Sequence, residues 1–393
     1  MTHSKISHHA QKLKSSAIRE LLKHSKMPGV LSLGGGIPDP GLFDRDGLQL
    51  AMDKVLSDGW QEAFQYGLTE GIPELRAAIC QLMQQRAVTC DVDDVLVTSG
   101  SQQSLDILAR ALINPGDVVV VERPTYLAAL QVMQLAEASL MSVGSDGDGM
   151  IVDELAERLK TTRVKAVYIV PTFGNPSGVT LSDARRQQLV ALSQQYDFVI
   201  IEDDPYGEIN FTDRTFTPIK AWATEMGAGE NVVYTSTFSK ILAPGARVGW
   251  LVLPVWLKRP VASLKQATDL HTSTLSQAFT WRYLDSGRLP QQIRLIRNAY
   301  QHKCHLLSAC LQTELGDQIR FHQPMGGMFL WATLRDRRNT TDWLQTTLSN
   351  GVVYVPGEFF YSDNPDRTTL RLSYVSASDA DLQEAVRRLK ASL

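Results

Sequence analysis

The sequence predicts an α/β protein: a large domain around a mostly parallel mixed sheet with helices on both faces, then a small α+β domain. The first observation is that short, β-branched apolar runs alternate with helical periodicity from about residue 94 onward. The second is that these runs are apolar throughout, which is typical of strands covered on both faces and joined by crossover helices. The third is the length, because 393 residues suffice for a large domain and a smaller companion.

The elements of the predicted large domain come in regular order along the chain. A helix over residues 15–23 and a glycine turn over residues 34–36 precede it. Helices are expected between the strands, as at residues 102–111 and 182–195. The predicted strands span residues 95–97, 118–121, 166–170, 198–201, 232–234 and 248–252.

The C-terminal part of the sequence predicts the small domain. Two long helical stretches run from Pro254 to about Leu315, and a final amphipathic helix begins near Ala377. Strands are expected at residues 327–332 and 369–374. We therefore expect three parts: an N-terminal segment (1–44), the large domain (45–285), and the small domain (286–393).

The composition predicts a cytoplasmic protein without nucleic-acid partners. Acidic and basic residues nearly balance, at a formal net charge of −3, and they are interspersed. The four cysteines lack the spacing of a zinc site, so we expect reduced thiols and no metal. No apolar run is long enough to cross a membrane, and the first residues lack the apolar core of a signal peptide.

The most informative segment is Tyr-Thr-Ser-Thr-Phe-Ser-Lys at residues 234–240. Lys240 ends a buried, β-rich run, and Arg247 follows after a helix-breaking Ala-Pro-Gly. A desolvated lysine beside another cation keeps a nucleophilic amine, which can condense with an aldehyde. The hydroxyls of Thr237 and Ser239 and the guanidinium of Arg247 suit a phosphate next to that amine. An aldehyde that carries a phosphate describes pyridoxal 5′-phosphate (PLP).

The ends of the first two predicted strands offer further parts of such a site. Gly100, Ser101 and Gln102 follow the first strand and begin a helix, whose free backbone N–H groups can seat an anion. A helix capped by serine explains the same residues without a ligand. After the second strand, the ring of Tyr126 could stack on a pyridine ring or belong to the core.

Polar residues at three later positions complete the constellation. A turn fixed by prolines and glycines presents the amide of Asn175. Asp203 ends a buried strand, where a carboxylate needs a cationic partner such as a protonated ring nitrogen, and that ion pair would make the ring an electron sink. Tyr206 could direct its hydroxyl to the ring oxygen of the cofactor. Arg371 lies in an apolar strand, where it suits bidentate capture of a carboxylate or extends its head to solvent.

Taken in order, these residues resemble the fold-type I, class I/II PLP-dependent aminotransferases, and the resemblance covers nearly the whole chain. It rests on Tyr66, Gly100, Ser101, Gln102, Tyr126, Asn175, Asp203, Tyr206, Ser239, Lys240, Arg247 and Arg371. Within the family, the chain is most similar to the 2-aminoadipate, kynurenine and aromatic aminotransferase branch. The segments that carry this similarity are residues 16–20, 33–38, 65–67, 202–206 and 355–357. Thr237 departs from the serine common in that branch but keeps the hydroxyl.

The resemblance implies a role for each residue. Lys240 forms a Schiff base with PLP and shuttles a proton at the substrate α-carbon, Asp203 pairs with the ring nitrogen, and Tyr126 stacks on the ring. Asn175 and Tyr206 hold the ring oxygen. Arg371 binds the α-carboxylate of the substrate. The residues implied to hold the phosphate are Gly100, Ser101, Gln102, Thr237, Ser239, Arg247 and, from the neighbouring subunit, Tyr66.

The resemblance also implies a homodimer that exchanges amino groups between amino acids and 2-oxo acids such as 2-oxoglutarate. Arg19 is a candidate for binding a distal carboxylate, because the resemblance implies that the N-terminal segment (1–44) contributes to the small domain and covers the active site. Gly36, Asn175 and Tyr66 are further candidates for substrate contacts.

Three other functions stay open on the same fold: a β-lyase, a ring-forming synthase, and a PLP or amino-acid sensor without catalysis. The first two begin from the same carbanion as a transaminase. Similar domains also occur in DNA-binding regulators, but those carry an additional basic domain before the PLP domain. We expect too few residues here for such a domain.

Overall fold

The structure is a computed structural model, which describes residues 5–7, 11, 21 and 27–393. Its strands are β1 (Leu31–Ser32), β2 (Val95–Thr98), β3 (Val118–Arg123), β4 (Ser139–Asp146), β5 (Gly149–Met150), β6 (Ala166–Ile169), β7 (Val199–Asp203), β8 (Val232–Thr237), β9 (Gly249–Val252), β10 (Ile319–Phe321), β11 (Phe329–Leu334), β12 (Val352–Val353), β13 (Val355–Pro356) and β14 (Thr369–Ser373).

The helices of this part of the chain are α1 (Arg45–Asp58), α2 (Trp60–Ala63), α3 (Pro73–Gln84), α4 (Ser101–Leu112), α5 (Leu127–Leu135), α6 (Val152–Leu159), α7 (Asp183–Tyr196), α8 (Ile219–Glu225), α9 (Val255–Asp269), α10 (Thr274–Asp285), α11 (Leu289–Leu315), α12 (Thr340–Ser349) and α13 (Asp379–Ala391). The predicted helix over residues 15–23 lies outside the described residues, apart from Leu21.

The large sheet has the strand order β2-β9-β8-β7-β6-β3-β4-β5 in the described part of the chain. The central strands β4, β3, β6, β7 and β8 run parallel, whereas β9 lies antiparallel between β8 and β2. The prediction of a mostly parallel mixed sheet is therefore confirmed. Parallel strands need crossover connections, and α7 makes one of them, between β6 and β7.

Both faces of this sheet are buried. On one face, Val167 and Ile200 pack with Leu155 of α6 and Leu189 of α7. On the other, strand residues such as Val121, Ala166 and Ile201 belong to a core with residues of α4 and α9. The continuous apolar runs in the sequence reflect this two-sided covering.

The small sheet is antiparallel, in the order β10-β11-β14-β13, and α13 packs beside it against α11. The segment before α1 joins this part of the molecule, because β1 pairs in parallel with β12. The backbone N–H of Ser373 in β14 also donates to the carbonyl of Leu33 at 2.6 Å. These bonds place Leu33 against the small sheet.

Two of the differences between the sequence prediction and the structure have a clear physical reason. The stretch after Pro254 forms three helices (α9, α10 and α11) rather than two, because the chain breaks at Leu270 with φ of 64° and again at Gly287 with φ of 70°. Strand β4 was not predicted, since its serines and glycine interrupt any apolar run, and its pairing with β3 stabilises it instead.

Candidate active site

The carboxyl ends of β6, β7 and β8 open into a cavity of about 360 Å³, where parallel sheets gather functional residues. The structure brings most of the predicted site residues to its wall. They are Gly36, Ser101, Gln102, Tyr126, Asn175, Asp203, Tyr206, Thr237, Ser239, Lys240, Arg247 and Arg371. Residues separated by more than 300 positions in the sequence thus face one space.

The amine of Lys240 projects into this cavity from the turn after β8. Its Nζ donates a hydrogen bond to the carbonyl of Gly36 at 3.2 Å. Burial lowers the pKa of Lys240 to about 8, and the positive charges of Arg371 and Arg247 act in the same direction. The fraction of this amine that is neutral, and therefore nucleophilic, near neutral pH is much larger than for an ordinary lysine.

Three consecutive carboxylates at the end of β7 are buried, and each has its own surroundings. Glu202 accepts hydrogen bonds from the backbone N–H groups of Ile219 and Lys220 at the start of α8, at 2.7 and 2.8 Å. Asp204 pairs with Nη1 of Arg86 at 2.8 Å. Asp203 lies between them and alone of the three lines the cavity.

The two oxygens of Asp203 differ. Oδ2 accepts a hydrogen bond from the hydroxyl of Tyr168 at 2.8 Å. Oδ1 is buried and has no hydrogen-bond partner among the described residues. Burial and, to a lesser extent, the charge of Asp204 raise the pKa of Asp203 to about 7, although the hydrogen bond from Tyr168 acts in the opposite direction. A buried carboxylate oxygen without a partner is costly, and a cationic group in the cavity would relieve it.

Arg371 enters the cavity from β14 of the small sheet. Its Nη1 donates to Oδ1 of Asn175, and its Nη2 donates to the carbonyl of Gly34, both at 2.8 Å. Its guanidinium lies over the ring of Phe329, 4.2 Å from the ring centre. Burial lowers the pKa of Arg371 to about 10. Among the described residues, no carboxylate forms an ion pair with Arg371. Its positive charge is therefore available to bind an anionic group.

Hydroxyl and backbone donors collect around the start of α4. Gly100 has φ of 89°, and a side chain there would meet the guanidinium of Arg247. Nη2 of Arg247 donates to the carbonyl of Ser99 at 3.1 Å, and the hydroxyls of Thr237 and Ser239 lie 2.8 Å apart. These groups, with the free N–H groups at the helix start, form a seat for a phosphate.

These residues fit PLP, by three independent features of the site. Lys240 offers an amine of lowered pKa for the aldehyde. Among the described residues, Oδ1 of Asp203 has no hydrogen-bond partner, and a protonated ring nitrogen would supply one. The seat at α4 offers donors for the phosphate. Burial also raises the pKa of Tyr126 to about 12, so the Tyr126 phenol beside this space stays neutral.

A family model for class I and II aminotransferases matches residues 48–389. The chain belongs to this family. It is a PLP-dependent aminotransferase, acting on amino acids and 2-oxo acids, and the expected fold type I is confirmed.

Several known aminotransferases are similar to this chain over nearly its whole length. The aromatic-amino-acid aminotransferase 1 of Thermococcus litoralis is 40% identical over 96% of this chain and 91% of that protein. The structure of a kynurenine aminotransferase from Pyrococcus horikoshii, in complex with PMP, is 38% identical, with a TM-score of 0.94 over 99% of this chain and 96% of that one. An α-aminoadipate aminotransferase structure from Thermus thermophilus is 31% identical, with a TM-score of 0.92 over 99% and 97% of the two chains.

Two of the predicted site residues that the structure describes do not line the cavity in this aminotransferase. Gly100 faces the guanidinium of Arg247 instead. Tyr66 is 79% exposed on the outer surface, and its ring packs edge-on against that of His271, with ring centres 5.8 Å apart. Arg19 lies outside the described residues.

Among the site residues that sequence reasoning missed, two have contacts that shape the site. Tyr168 lies within a predicted apolar strand, and its hydroxyl is the one sequence feature that could have indicated a role in the site. Phe329 lines the cavity and packs edge-on against Tyr206, with ring centres 5.9 Å apart. A side chain on Gly36 would meet the ring of Phe329 at 2.6 Å, which explains the glycine there.

Two further features concern metal ions and membranes. In residues 27–393 and the few described before them, no group of three or more His, Cys, Asp or Glu side chains is arranged as metal ligands. None of the helices described is both long and apolar enough to cross a membrane.

Proposed function

We propose that this aminotransferase exchanges the amino group between a broad range of L-amino acids, including aromatic and 2-aminoadipate-like ones, and a 2-oxo acid such as 2-oxoglutarate. The observation that carries the proposal is the convergence of Lys240, Asp203 and Arg371 on one cavity. The names of the similar enzymes support the substrate range, since they include aromatic, kynurenine and α-aminoadipate aminotransferases.

The residues proposed to hold PLP follow from the donors described above. Asp203 Oδ1 would accept from the ring nitrogen, and Tyr126 would lie against the ring. Asn175 and Tyr206 would hold the ring oxygen. The phosphate would be held by Gly100, Ser101, Gln102, Thr237, Ser239 and Arg247, with Tyr66 from the partner subunit.

When bound, PLP withdraws electrons from the α-carbon of the amino acid. The protein supplies the proton transfer, for which we propose Lys240. Its Nζ takes the proton from the α-carbon, and its lowered pKa suits a base near neutral pH. The carbonyl of Gly36, which accepts from Nζ at 3.2 Å, limits where the amine points.

Arg371 is proposed to bind the α-carboxylate of every substrate. Asn175 and Gly34 each hold one of its terminal nitrogens, and Phe329 holds the guanidinium from one side. A cation fixed in this way orients the α-carbon without reading the side chain of the substrate. Arg19, Gly36 and Tyr66 are proposed to contact the variable part of the substrate.

A panel assay tests the substrate range. Purified enzyme is given aromatic, aliphatic and acidic amino donors, with 2-oxoglutarate or pyruvate as the acceptor, and the 2-oxo acid products are measured. We expect turnover of aromatic donors and of 2-aminoadipate. Activity with a single narrow donor class, or release of free ammonia in place of transfer of the amino group to the acceptor, would contradict the proposal.

The role of Lys240 has its own test. Borohydride should fix the cofactor covalently on Lys240 in the yellow purified protein. The variant Lys240→Ala should still bind PLP through its phosphate contacts but turn over orders of magnitude more slowly. Label on another lysine would assign the role elsewhere.

We also propose a homodimer in which Tyr66 reaches the site of the neighbouring subunit. Support comes from an exposed apolar surface around α2, formed by Trp60, Phe64, Tyr66 and Leu68. Sedimentation should give a dimer, and Phe64→Glu should yield monomers with weak activity. Full activity in a monomer would contradict this arrangement.

A cytoplasmic location is proposed from the cysteines. All four are free thiols, and Sγ of Cys90 lies 3.7 Å from Sγ of Cys80 without a bond. Such a pair is expected to stay reduced where thiol reductants are abundant. Cell fractionation, with thiol titration of the recovered protein, tests this proposal.

A further inference from the structure

Tyr168 is the described residue whose side chain donates to the carboxylate of Asp203. It lies on β6, its side chain is fully buried, and its hydroxyl reaches Oδ2 at 2.8 Å. Strands β6 and β7 are parallel neighbours, with Tyr168 opposite Ile201, so the long phenol extends past the end of its own strand to reach Asp203. The contact therefore depends on the size of tyrosine as well as on its hydroxyl.

We propose that Tyr168 is a positioning residue, whose hydroxyl holds Asp203 in the orientation that leaves Oδ1 for the ring nitrogen of the cofactor. This inference rests on the proposed role of Asp203. The terminal torsion of an aspartate is soft, so packing alone fixes it poorly. A hydrogen bond to one oxygen removes that freedom and decides which oxygen faces the cavity.

A buried phenol is well suited to this task. Burial raises the pKa of Tyr168 well above its ordinary value, so it stays protonated and keeps donating. The hydrogen bond also opposes the rise in the pKa of Asp203 that burial causes. Without it, the carboxylate would take up a proton more readily and would be a weaker partner for a pyridinium.

The neighbouring Asp204 provides a comparison within the same strand end. Its Oδ2 pairs with Arg86 and accepts from the hydroxyl of Tyr234 at 3.3 Å, and its Oδ1 accepts from the N–H of Gly207 at 3.0 Å. Both oxygens of Asp204 are thus engaged, away from the cavity. Asp203 and Asp204 each accept a hydrogen bond from a buried tyrosine. Of these two carboxylates, only Asp203 has an oxygen without a hydrogen-bond partner among the described residues.

Several titratable groups act on Asp203 besides the cofactor. Desolvation and the charge of Asp204 raise its pKa, whereas the charge of Lys240 lowers it. The groups that interact with it from its own strand end and from the elements packed around it are Tyr126, Tyr168, Asp204, Tyr206 and Lys240. A test must therefore change the Tyr168 donor alone.

The test compares Tyr168→Phe with Tyr234→Phe, a matched loss of one buried hydroxyl from the neighbouring carboxylate. Each holoenzyme is prepared with PLP labelled with ¹⁵N in the ring, and the nitrogen resonance is followed by NMR. In Tyr168→Phe we expect the resonance to move toward that of an unprotonated ring. In Tyr234→Phe it should stay at the wild-type position.

Kinetics give a second measurement. Tyr168→Phe should lower kcat by about 10- to 100-fold with little change in KM, because only the stabilisation of developing charge is weakened. Its affinity for PLP should stay within about threefold of the wild type, because the phosphate contacts are intact. If Tyr168→Phe does not fold, 3-fluorotyrosine at position 168 gives a graded change in donor strength and should shift the same resonance.

The outcomes separate this inference from the proposed function. An unmoved ¹⁵N resonance in Tyr168→Phe, or equal effects in both tyrosine variants, would overturn the role of Tyr168. If Asp203→Asn also leaves the resonance unmoved, the assignment of Asp203 is itself wrong. A wild-type enzyme that transaminates none of the panel would overturn the proposed function instead.

Discussion

Glu202, Asp203 and Asp204 show how single residues in one short segment acquire different chemistry. Glu202 is held by two backbone N–H groups and Asp204 by Arg86, so both are satisfied by the protein. Asp203 is left with one unpartnered oxygen in the cavity. The sequence could predict Asp203, because a carboxylate that ends an apolar strand needs a partner. It could not predict the roles of Arg86 or Tyr168, since both contacts join distant parts of the chain.

Arg371 gives a prediction at the same scale. Replacing it with alanine should lower kcat/KM for all donors and acceptors together, by about 2–5 kcal/mol, because the α-carboxylate is common to every substrate. Steady-state kinetics with aromatic, aliphatic and acidic substrates would measure this. Arg367→Ala, which removes an exposed arginine of the same domain, is the control and should change little. A loss of kcat/KM confined to one substrate class would show that Arg371 contacts the side chain of the substrate.

At the scale of elements, the phosphate seat depends on how closely β9 approaches the turn before α4. A Cβ on Gly249 would lie 2.9 Å from the carbonyl carbon of Gly100 and 2.9 Å from the carbonyl oxygen of Ser236. Both are backbone atoms, which cannot move aside cheaply. The sequence predicted strand β9 and the turn at Gly100 separately. Their contact follows from the antiparallel pairing of β2 with β9, which periodicity alone does not reveal.

Gly249→Ala is therefore expected to weaken PLP binding. The added methyl group should push the start of α4 away from Thr237, and the affinity for PLP should fall by about tenfold or more. Fluorescence titration of the apoenzyme with PLP measures this. Gly245→Ala is the control, because Gly245 lies in the connection between β8 and β9 and an added Cβ there would meet no atom within 4 Å. Equal affinities for PLP in the two variants would show that the phosphate site tolerates the displacement of α4.

At the scale of the whole molecule, residues 31–36 connect the two sheets. Leu31 and Ser32 pair with β12, while the carbonyls of Gly34 and Gly36 accept from Arg371 and Lys240. The alternation of strands and helices was enough to predict the large sheet and the position of the small one. The division near residues 44 and 285 stays a prediction, which limited proteolysis of the apoenzyme would test.

Lys240 links the active site to the stability of the whole chain. Its folded-state pKa of about 8 lies below its ordinary value of 10.5, so the unfolded chain binds the proton more tightly. The charged lysine therefore destabilises the apoenzyme fully below about pH 8, and this effect disappears as the pH rises toward 10.5. Lys240→Met should raise the free energy of unfolding at pH 7 by roughly 1–3 kcal/mol.

Urea unfolding of the two apoenzymes at pH 7 and pH 10 measures this difference. The gain from removing the charge should shrink at the higher pH, whereas any gain from the apolar methionine side chain should not. A difference between the variants that is independent of pH would show that Lys240 is not desolvated in the apoenzyme.

The ring of Phe329 constrains how this pocket can evolve. It contacts Arg371 and Tyr206, and it excludes any side chain at Gly36. A larger residue at position 36 is thus tolerated only after position 329 has become smaller, so the order of mutations matters. Gly36→Ala should reduce kcat/KM strongly in the wild-type background and much less beside Phe329→Leu, with a coupling of about 1–3 kcal/mol in a double-mutant cycle. Additive effects of the two substitutions would show that this constraint does not exist. Otherwise, lineages that acquire new substrate preferences through position 36 must first pass through a change at position 329.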